Sequence, residues 1–536
     1  MTGTTRRALW GLILVSGALR LAWAASLGPG NDEAYHSLFV ENPAWSYFDH
    51  PPMLAWVEAL GIALAGGRVT AFSLRIGFVS LFAGSTWLMA RLGTRLYGER
   101  AGLLAAFGLN VTAYHTVAAG TFALPDGPLL FFWLLTLDRL TVALGVAGPG
   151  RRGVWPWVGV GLAWGGALLS KYHGIFPPVG VLAYLVLEPS ARVWLRRPGP
   201  YLAVAIGLVV FSPVLAWNAS HGWASFAFQG GRALGESGVR PLYLLGALLG
   251  PVAYLFPWIW ARLVGVLARL GRRALNPATP SSDRFLLAQS VAPLSTFLVV
   301  ACTRPVLPHW ALVGFLPLYP LLGKTWAAER AANPSRFGRR AAVMATIPIA
   351  LCAMIAWHAR TGVFQGGLAR LNLVSPKADP TVDLHGWDRI ADELNRRGLL
   401  RPGGPFLFTA DWYLSGQLAF ATRGTGVPVL CYHAWDARSF AFWSRPEDWV
   451  GRDGILVAVN SRSTEPGRFD RWFQRITPLG SFDVLRGGVP IRTVRLFHCE
   501  RQTVAFPFDD LGKSIHPQAQ VPVPPRLAGG KSGRVD

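Results

Sequence analysis

Charge is what this chain has least of. Only 15% of its 536 residues are Asp, Glu, Lys or Arg, while 51% are hydrophobic. Soluble globular domains carry about 25% charged residues, so an ordinary water-soluble protein is excluded for most of the length, and a bilayer becomes the expected solvent. Acid is scarcer than base: 29 Asp and Glu face 51 Lys and Arg, a formal charge of +22. Such an excess would suit nucleic acid if it formed a stripe. Here the basic residues fall in short runs between apolar segments, the footprint of cytoplasmic loops, and nucleic-acid binding is not expected. The four cysteines show no C-x-x-C and no metal-ligand spacing, which excludes a disulfide framework and a zinc module. Cys302 and Cys352 lie in apolar runs. Cys431 and Cys499 lie near the C-terminus, where two ordinary buried thiols are favoured over a bridge between them. No glycine-rich phosphate loop and no internal repeat are present, so no nucleotide pocket is expected.

Apolar segments of about 20 residues, long enough to cross a bilayer, are what the chain does have. They lie near 8–27, 72–92, 101–119, 128–147, 154–170, 174–188, 200–217, 242–266, 285–303, 308–326 and 341–358, eleven in all. Arg6 and Arg7 precede the first, and no small-residue cleavage site follows it, so it reads as an uncleaved span. Basic residues fall on alternate connections: Arg6 and Arg7, Arg91 to Arg100, Arg151 and Arg152, Arg192 to Arg197, Arg262 to Arg273, and Arg330 to Arg340. Those connections are expected to be cytoplasmic. The others, and the C-terminal part, then lie on the opposite side.

From about residue 365 the composition changes. Turns such as Pro402-Gly403-Gly404 appear, and β-rich runs at 406–409, 427–431, 454–459 and 491–497 alternate with helix-like stretches such as 387–397. The spacing predicts a small α/β domain outside the membrane over 365–505, after a membrane domain over 1–360. The Pro-, Gly- and Arg-containing tail over 506–536 is expected to be disordered.

The stretch from Gly28 to Trp56 gathers Asp32, Glu33, His36, Glu41, Asp49 and His50 at what should be a membrane surface. Carboxylates beside lipid are costly and by default mark function. Helix capping is the competing account. Asn31 or Asp32 could cap one helix and Asp49 a second whose first turn takes Pro51 and Pro52, but capping leaves Glu33, His36 and His50 unexplained. Asp32 and His36 are four apart, on one face of a helix starting at Asn31. Partial dehydration and a neighbouring acid both raise a carboxylate's pKa toward working pH, as a general base for a hydroxyl requires. His50, or a divalent metal held by Asp49 and a histidine, could offset an anionic leaving group. Asp126, between two spans on the same side, is a further acid or simply a cap. Lys171, Tyr172 and His173 end a span there. Lysine often snorkels at interfaces, but on this outer side it disobeys the positive-inside bias, which favours an anionic ligand. Arg304 with His309, and Arg232 with His221, add cations that could instead meet lipid headgroups.

The order of these motifs, Asp32-Glu33, then Asp49-His50-Pro51-Pro52, then Leu124-Pro125-Asp126, resembles the GT-C glycosyltransferases. The likeness is to the bacterial branch similar to the lipid A aminoarabinose transferases and, more distantly, to the protein O-mannosyltransferases (glycosyltransferase families 39 and 83). Leu169-Ser170-Lys171-Tyr172, Pro213 to Asn218, His221 to Phe226 and Pro308-His309-Trp310 resemble that branch too, so the likeness covers roughly residues 5–360. It implies a mainly α polytopic bundle of about eleven spans followed by a small extracytoplasmic α/β domain, in a bacterial inner membrane. It also implies a polyprenyl-phosphate sugar donor, an acceptor such as lipid A or lipopolysaccharide core, and inversion at the anomeric carbon. Asp32 then stands where the family has its first-loop aspartate, the favoured base, with Glu33 beside it. Asp126 matches the second-loop aspartate. Asp49-His50 stands where the aminoarabinose enzymes carry Glu-Lys before proline, so neither donor sugar nor metal dependence carries over. Lys171, Tyr172, His173, His50, Arg304 and His309 become the expected substrate-binding residues. A secondary transporter and a non-catalytic assembly protein are the rivals. The acids cluster in outer loops rather than at the midplane, and no paired broken helices suggest an inverted repeat, both of which count against a transporter.

Overall fold

Apolar runs in lipid become helices because only a helix pairs its own backbone without water, and the computed structural model follows that rule. It describes residues 1–148, 153–233, 238–459 and 465–508. Arg151 and Arg152, the Arg232 side chain, and the expected tail from 509 onward lie outside the described residues. In chain order the helices are α1 (Gly3–Ser26), α2 (Asn31–Glu41), α3 (Met53–Leu64), α4 (Ala71–Tyr97), α5 (Glu99–Asn110), α6 (Ala113–Val117), α7 (Asp126–Ala143), α8 (Trp155–Ser170), α9 (Phe176–Leu187), α10 (Pro198–Ser220), α11 (Ala224–Ala233), α12 (Pro241–Leu255), α13 (Pro257–Arg273), α14 (Ser281–Ala301), α15 (Tyr319–Ala332) and α16 (Pro334–Thr361). Five of them, α1, α4, α10, α14 and α16, are long and apolar enough to cross a membrane.

The other expected spans are shorter or interrupted. The apolar run 101–119 breaks at Val111 and Thr112 into α5 and α6. Lys171 is extended, with φ −162° and ψ 146°, between α8 and a 3₁₀ turn. The run 242–266 breaks at Phe256, whose φ of +64° is left-handed and whose successor, a proline, disfavours helix at the preceding residue. Residues 308–318 form 3₁₀ rather than α structure ahead of α15. A hydropathy run records only that a segment is apolar; it does not record where its helix stops.

Beyond α16 come α17 (Gln365–Arg370), α18 (Trp387–Arg396), β1 (Phe406–Thr409), α19 (Trp412–Ala421), β2 (Val429–Cys431), β3 (Gly454–Val459), β4 (Phe473–Arg486) and β5 (Val489–Gln502). The strands form one mixed sheet in the order β2-β1-β3-β5-β4, parallel from β2 to β3 and antiparallel beyond. Alternate residues point to opposite faces. Leu407, Ile455, Val457 and Leu496 pack with Ile390, Leu394 and Leu418 on one side, and Phe406, Phe408, Leu456 and Cys499 form the other core. The β4–β5 hairpin turns on Gly487 and Gly488, both at positive φ (56° and 79°), which side chains resist. Cys431 on β2 and Cys499 on β5 are buried free thiols, with β1 and β3 between them.

The sheet domain is fastened to the helices at several points. α19 lies on α2 so closely that a Cβ on Gly416 would meet the Tyr35 backbone at 2.8 Å. Gln417 Nε2 donates to Pro29 O and Asn31 Oδ1 (both 3.0 Å) and to Asp383 O (3.1 Å). Arg423 pairs with Glu41. Asp379 accepts from Arg486 at 2.7 Å and pairs with His358 of α16 at 2.7 Å.

Candidate active site

α1 gives way to α2 through Gly28-Pro29-Gly30, and the first acids are deployed there. Gly30 is the N-cap and has no side chain to offer. Glu33 substitutes by reaching back to the Gly30 N–H at 2.9 Å. The same carboxylate takes Arg75 Nε at 2.8 Å and Nη2 at 2.5 Å, and the Ala123 N–H at 2.9 Å. Arg75, fully buried, spends its other donors on the carbonyls of Ala24, Leu27 and Gly28. Glu33 therefore ties α2 to α4 and to the loop before α7. Removing one partner of such a buried pair costs about 3–5 kcal/mol.

Asp32, its neighbour, points the other way. It is exposed, lines a cavity of about 740 Å³ and has no hydrogen-bond partner among the described residues. His36 and His50 line the same cavity, together with Asp126, Lys171, Tyr172, His173, His309 and Arg438. Asp32 and Asp126 thus face one hollow.

Asp126 occupies the first turn of α7 without capping it. Lys171 Nζ donates to both its oxygens, at 2.9 and 3.0 Å, from the break between α8 and the following turn. Lys171 is only 7% exposed, so it does not snorkel. Burial alone would push the Asp126 carboxyl up. Lys171 and His309, with hydrogen bonds from Lys171 and Tyr114, outweigh it and hold the group below its ordinary value.

Asp49 lies just behind the cavity wall, 1% exposed. It caps nothing: α3 begins at Met53 after Pro52. Asp49 instead accepts from Tyr35 Oη at 3.1 Å and from Arg438 Nη1 at 2.8 Å. Arg438 comes from the sheet domain, stacks at 3.9 Å on the Trp412 ring and reaches Asp436 at 3.3 Å. Burial opposes the charge on Asp49, but His50, Arg438 and His36 prevail and its pKa is lowered. Burial likewise pulls His50 down to about 3, with Asp49 opposing, and lowers His36 for the same reason. Both imidazoles are therefore neutral near pH 7.

One nitrogen each of His36 and His50 and one oxygen of Asp49 all lie within 4.8 Å of one another. Neither ring nitrogen of His36 has a hydrogen-bond partner among the described residues. Two neutral imidazoles and an ionised carboxylate suit a divalent cation, so these residues fit the metal that the sequence leaves as a candidate.

Of the expected substrate-binding residues, Arg304 does not line the cavity. It follows α14 in a turn, whereas His309 lies on the wall. His221 is also off the wall, stacked on Trp217 with centroids 4.0 Å apart. Trp310, from the Pro308-His309-Trp310 motif, lines the cavity too, and so do Tyr114, Tyr254 and Gln229, which carry no signal in the sequence. Tyr114 sits in an apolar run whose break at Thr112 carries no proline or glycine signal. In the sequence Arg438 is one of the aromatic and basic residues of the C-terminal part, with Trp435, Trp443 and Trp449, that could contact an acceptor or dock onto the membrane domain.

Residues 49–217 match the family described as dolichyl-phosphate-mannose-protein mannosyltransferase. ArnT from Cupriavidus metallidurans, bound to undecaprenyl phosphate, superposes with a TM-score of 0.58 at 16% identity, covering 90% of this chain and 97% of that one. The fold is that of ArnT. The apo form of the same ArnT gives 0.58 at 17% identity, with 91% and 97% covered. The lipid A galacturonosyltransferase RgtD of Rhizobium johnstonii is 30% identical over 190 residues, 35% of this chain and 38% of that relative. This chain therefore matches well under half the length of its curated relative. The segment matched by the family contains Asp49, His50, Asp126 and Lys171; Asp32 lies before it and Arg438 after it.

Proposed function

We propose that this chain is an integral-membrane glycosyltransferase that moves one sugar from a polyprenyl-phosphate donor to an acceptor outside the cytoplasm, with inversion. The observation that carries the reading is the unpartnered Asp32 carboxylate facing, across one cavity, the Lys171–Asp126 pair. A lipid-linked donor arrives already activated, so no nucleotide pocket is needed, and its phosphate anchors the reacting carbon at the membrane surface.

In the step proposed, Asp32 takes the proton of an acceptor hydroxyl as that oxygen bonds to the anomeric carbon from the face opposite the phosphate. The bond from the anomeric carbon to the phosphate oxygen breaks, and its electron pair leaves with the lipid phosphate. Negative charge grows on that oxygen, so Lys171, Arg438 and a histidine on the wall stabilise the transition state more than the ground state. Asp126 holds Lys171 in place, and Asp49 holds Arg438. Glu33 positions Asp32 by fixing the start of α2. A divalent cation held by His36, Asp49 and His50 would add Lewis-acid charge beside the same phosphate.

The acceptor class we propose is lipid A or another envelope glycan, supported by the named activity of RgtD. We also assign the cavity and the sheet domain to the periplasmic side of a bacterial inner membrane, opposite the basic loops. The count of eleven crossings belongs to this proposal, with interrupted helices and their adjoining turns completing the shorter ones. The domain limits of 1–360 and 365–505 do too.

The test is transfer of radiolabelled sugar from a polyprenyl-phosphate donor by purified protein in detergent, paired with mass spectrometry of envelope lipids from a deletion strain. Labelled product and a missing sugar are expected. Sugar moved across vesicles with no covalent product would make the chain a transporter, and no change in either assay would leave it an assembly protein.

A further inference from the structure

A second cavity, of about 460 Å³, lies between α1, the end of α5, α6 and α16. It shares no lining residue with the first. α16 separates the two, with Leu351 and Ile355 on the first cavity and Cys352 and Ala356 on the second. Its walls are mostly apolar, including Leu19, Phe107, Pro348 and Ala353, and Arg20 lines it as well.

Arg20 is 4% exposed and lies on a helix able to cross the membrane. Its Nη1 donates to Ser16 O at 3.1 Å, Nη2 reaches Thr116 Oγ1 at 3.4 Å, and the guanidinium sits 4.2 Å over the Phe82 ring. Nε is buried and has no hydrogen-bond partner among the described residues. No carboxylate among the described residues forms an ion pair with Arg20. The other buried cations discussed above each have one, Arg75 with Glu33, Lys171 with Asp126 and Arg486 with Asp379, and so does the half-buried Arg438 with Asp49.

A lone cation inside a membrane is costly and calls for a counter-charge. Arg20 lies six residues before the end of α1, about 9 Å along the helix axis, so a headgroup seated just below the interface comes within its reach. The apolar walls suit acyl chain, and the guanidinium of Arg20 suits phosphate oxygens. We infer that this cavity binds one anionic phospholipid, with its phosphate paired to Arg20 and its chains along α1 and α16.

The experiment is native mass spectrometry of the full-length protein, delipidated in detergent and titrated with phosphatidylglycerol or phosphatidylcholine of the same acyl chains. One saturable phosphatidylglycerol adduct is expected, absent with phosphatidylcholine, retained in Arg20→Lys and lost in Arg20→Met. Should Arg20→Met not fold, Ala353→Phe fills the cavity without touching the cation and is expected to lose the same adduct. Equal retention of the two lipids, or an adduct that survives both Arg20→Met and Ala353→Phe, overturns the inference. Displacement of phosphatidylglycerol by an equal concentration of undecaprenyl phosphate overturns it as well, and gives the cavity to a carrier lipid.

Discussion

Arg438, carried by the C-terminal sheet domain, donates a 2.8 Å hydrogen bond to Asp49, which lies 389 positions earlier in the loop before α3. The cavity is therefore completed by the part of the chain outside the helices. Arg438→Ala should leave Asp49 buried without its partner and destabilise the protein by about 3–5 kcal/mol. Arg438→Lys keeps the charge but loses the fork and the stacking on Trp412. It should fold, and transfer more slowly. Thermal unfolding and transfer assays on the two variants together check this.

Asp32 makes no hydrogen bond or ion pair among the described residues, so Asp32→Asn should unfold at the native temperature. Its transfer rate should fall about 10²–10⁴-fold, the usual contribution of a general base. Native-like transfer by this variant would remove Asp32 from the mechanism.

Lys171 and Asp126 are buried together. Each single change, Lys171→Met or Asp126→Asn, strands or weakens a buried charge, and Lys171→Met should be the more damaging because it leaves a bare carboxylate. The double variant should regain most of the lost stability without regaining transfer. A double-mutant cycle in unfolding temperature, read beside activity, separates those two roles.

Glu58, on α3, is fully buried, and neither carboxylate oxygen has a hydrogen-bond partner among the described residues. Burial first, then the nearby Glu33, push its pKa well above the ordinary value, with Arg423 opposing. A raised folded pKa contributes stability that is complete below the unfolded value of about 4.3 and is lost as pH rises through the folded one. Glu58→Gln should therefore match the native protein near pH 4 and exceed it in unfolding temperature at pH 8. A native curve that stays flat over that range would mean the proton is not held.

His36, Asp49 and His50 should bind one equivalent of Zn²⁺ or Mn²⁺ in equilibrium dialysis. His36→Ala should lose it, since His36 has no other partner among the described residues.

The sequence exposed the site in outline because acid is rare in it: in an apolar chain, Asp32, Asp49 and Asp126 are conspicuous, and all three come to one cavity or its wall. The β-rich runs at 406–409 and 454–459 became strands with those bounds. The strand at 473–486 went unread because its outer residues are largely exposed and Pro478 and Gly480 interrupt its pattern. The helix break at Lys171 fell between two expected spans, whereas those at Val111 and Phe256 lie inside single apolar runs, where hydropathy does not register them. The division of labour between Asp32 and Glu33 was equally hidden. Which of two adjacent acids meets Arg75 depends on how α4 packs, and local spacing holds no record of that.

The missing side chain at Gly416 lets α19 rest directly on the backbone of α2. With Gln417 and Arg423 clamping the same seam and Arg486 held at Ala359 near the end of α16, the sheet domain is a bolted roof, not a flap. Anything borne on a lipid must consequently slip in sideways, between helices and from the plane of the bilayer.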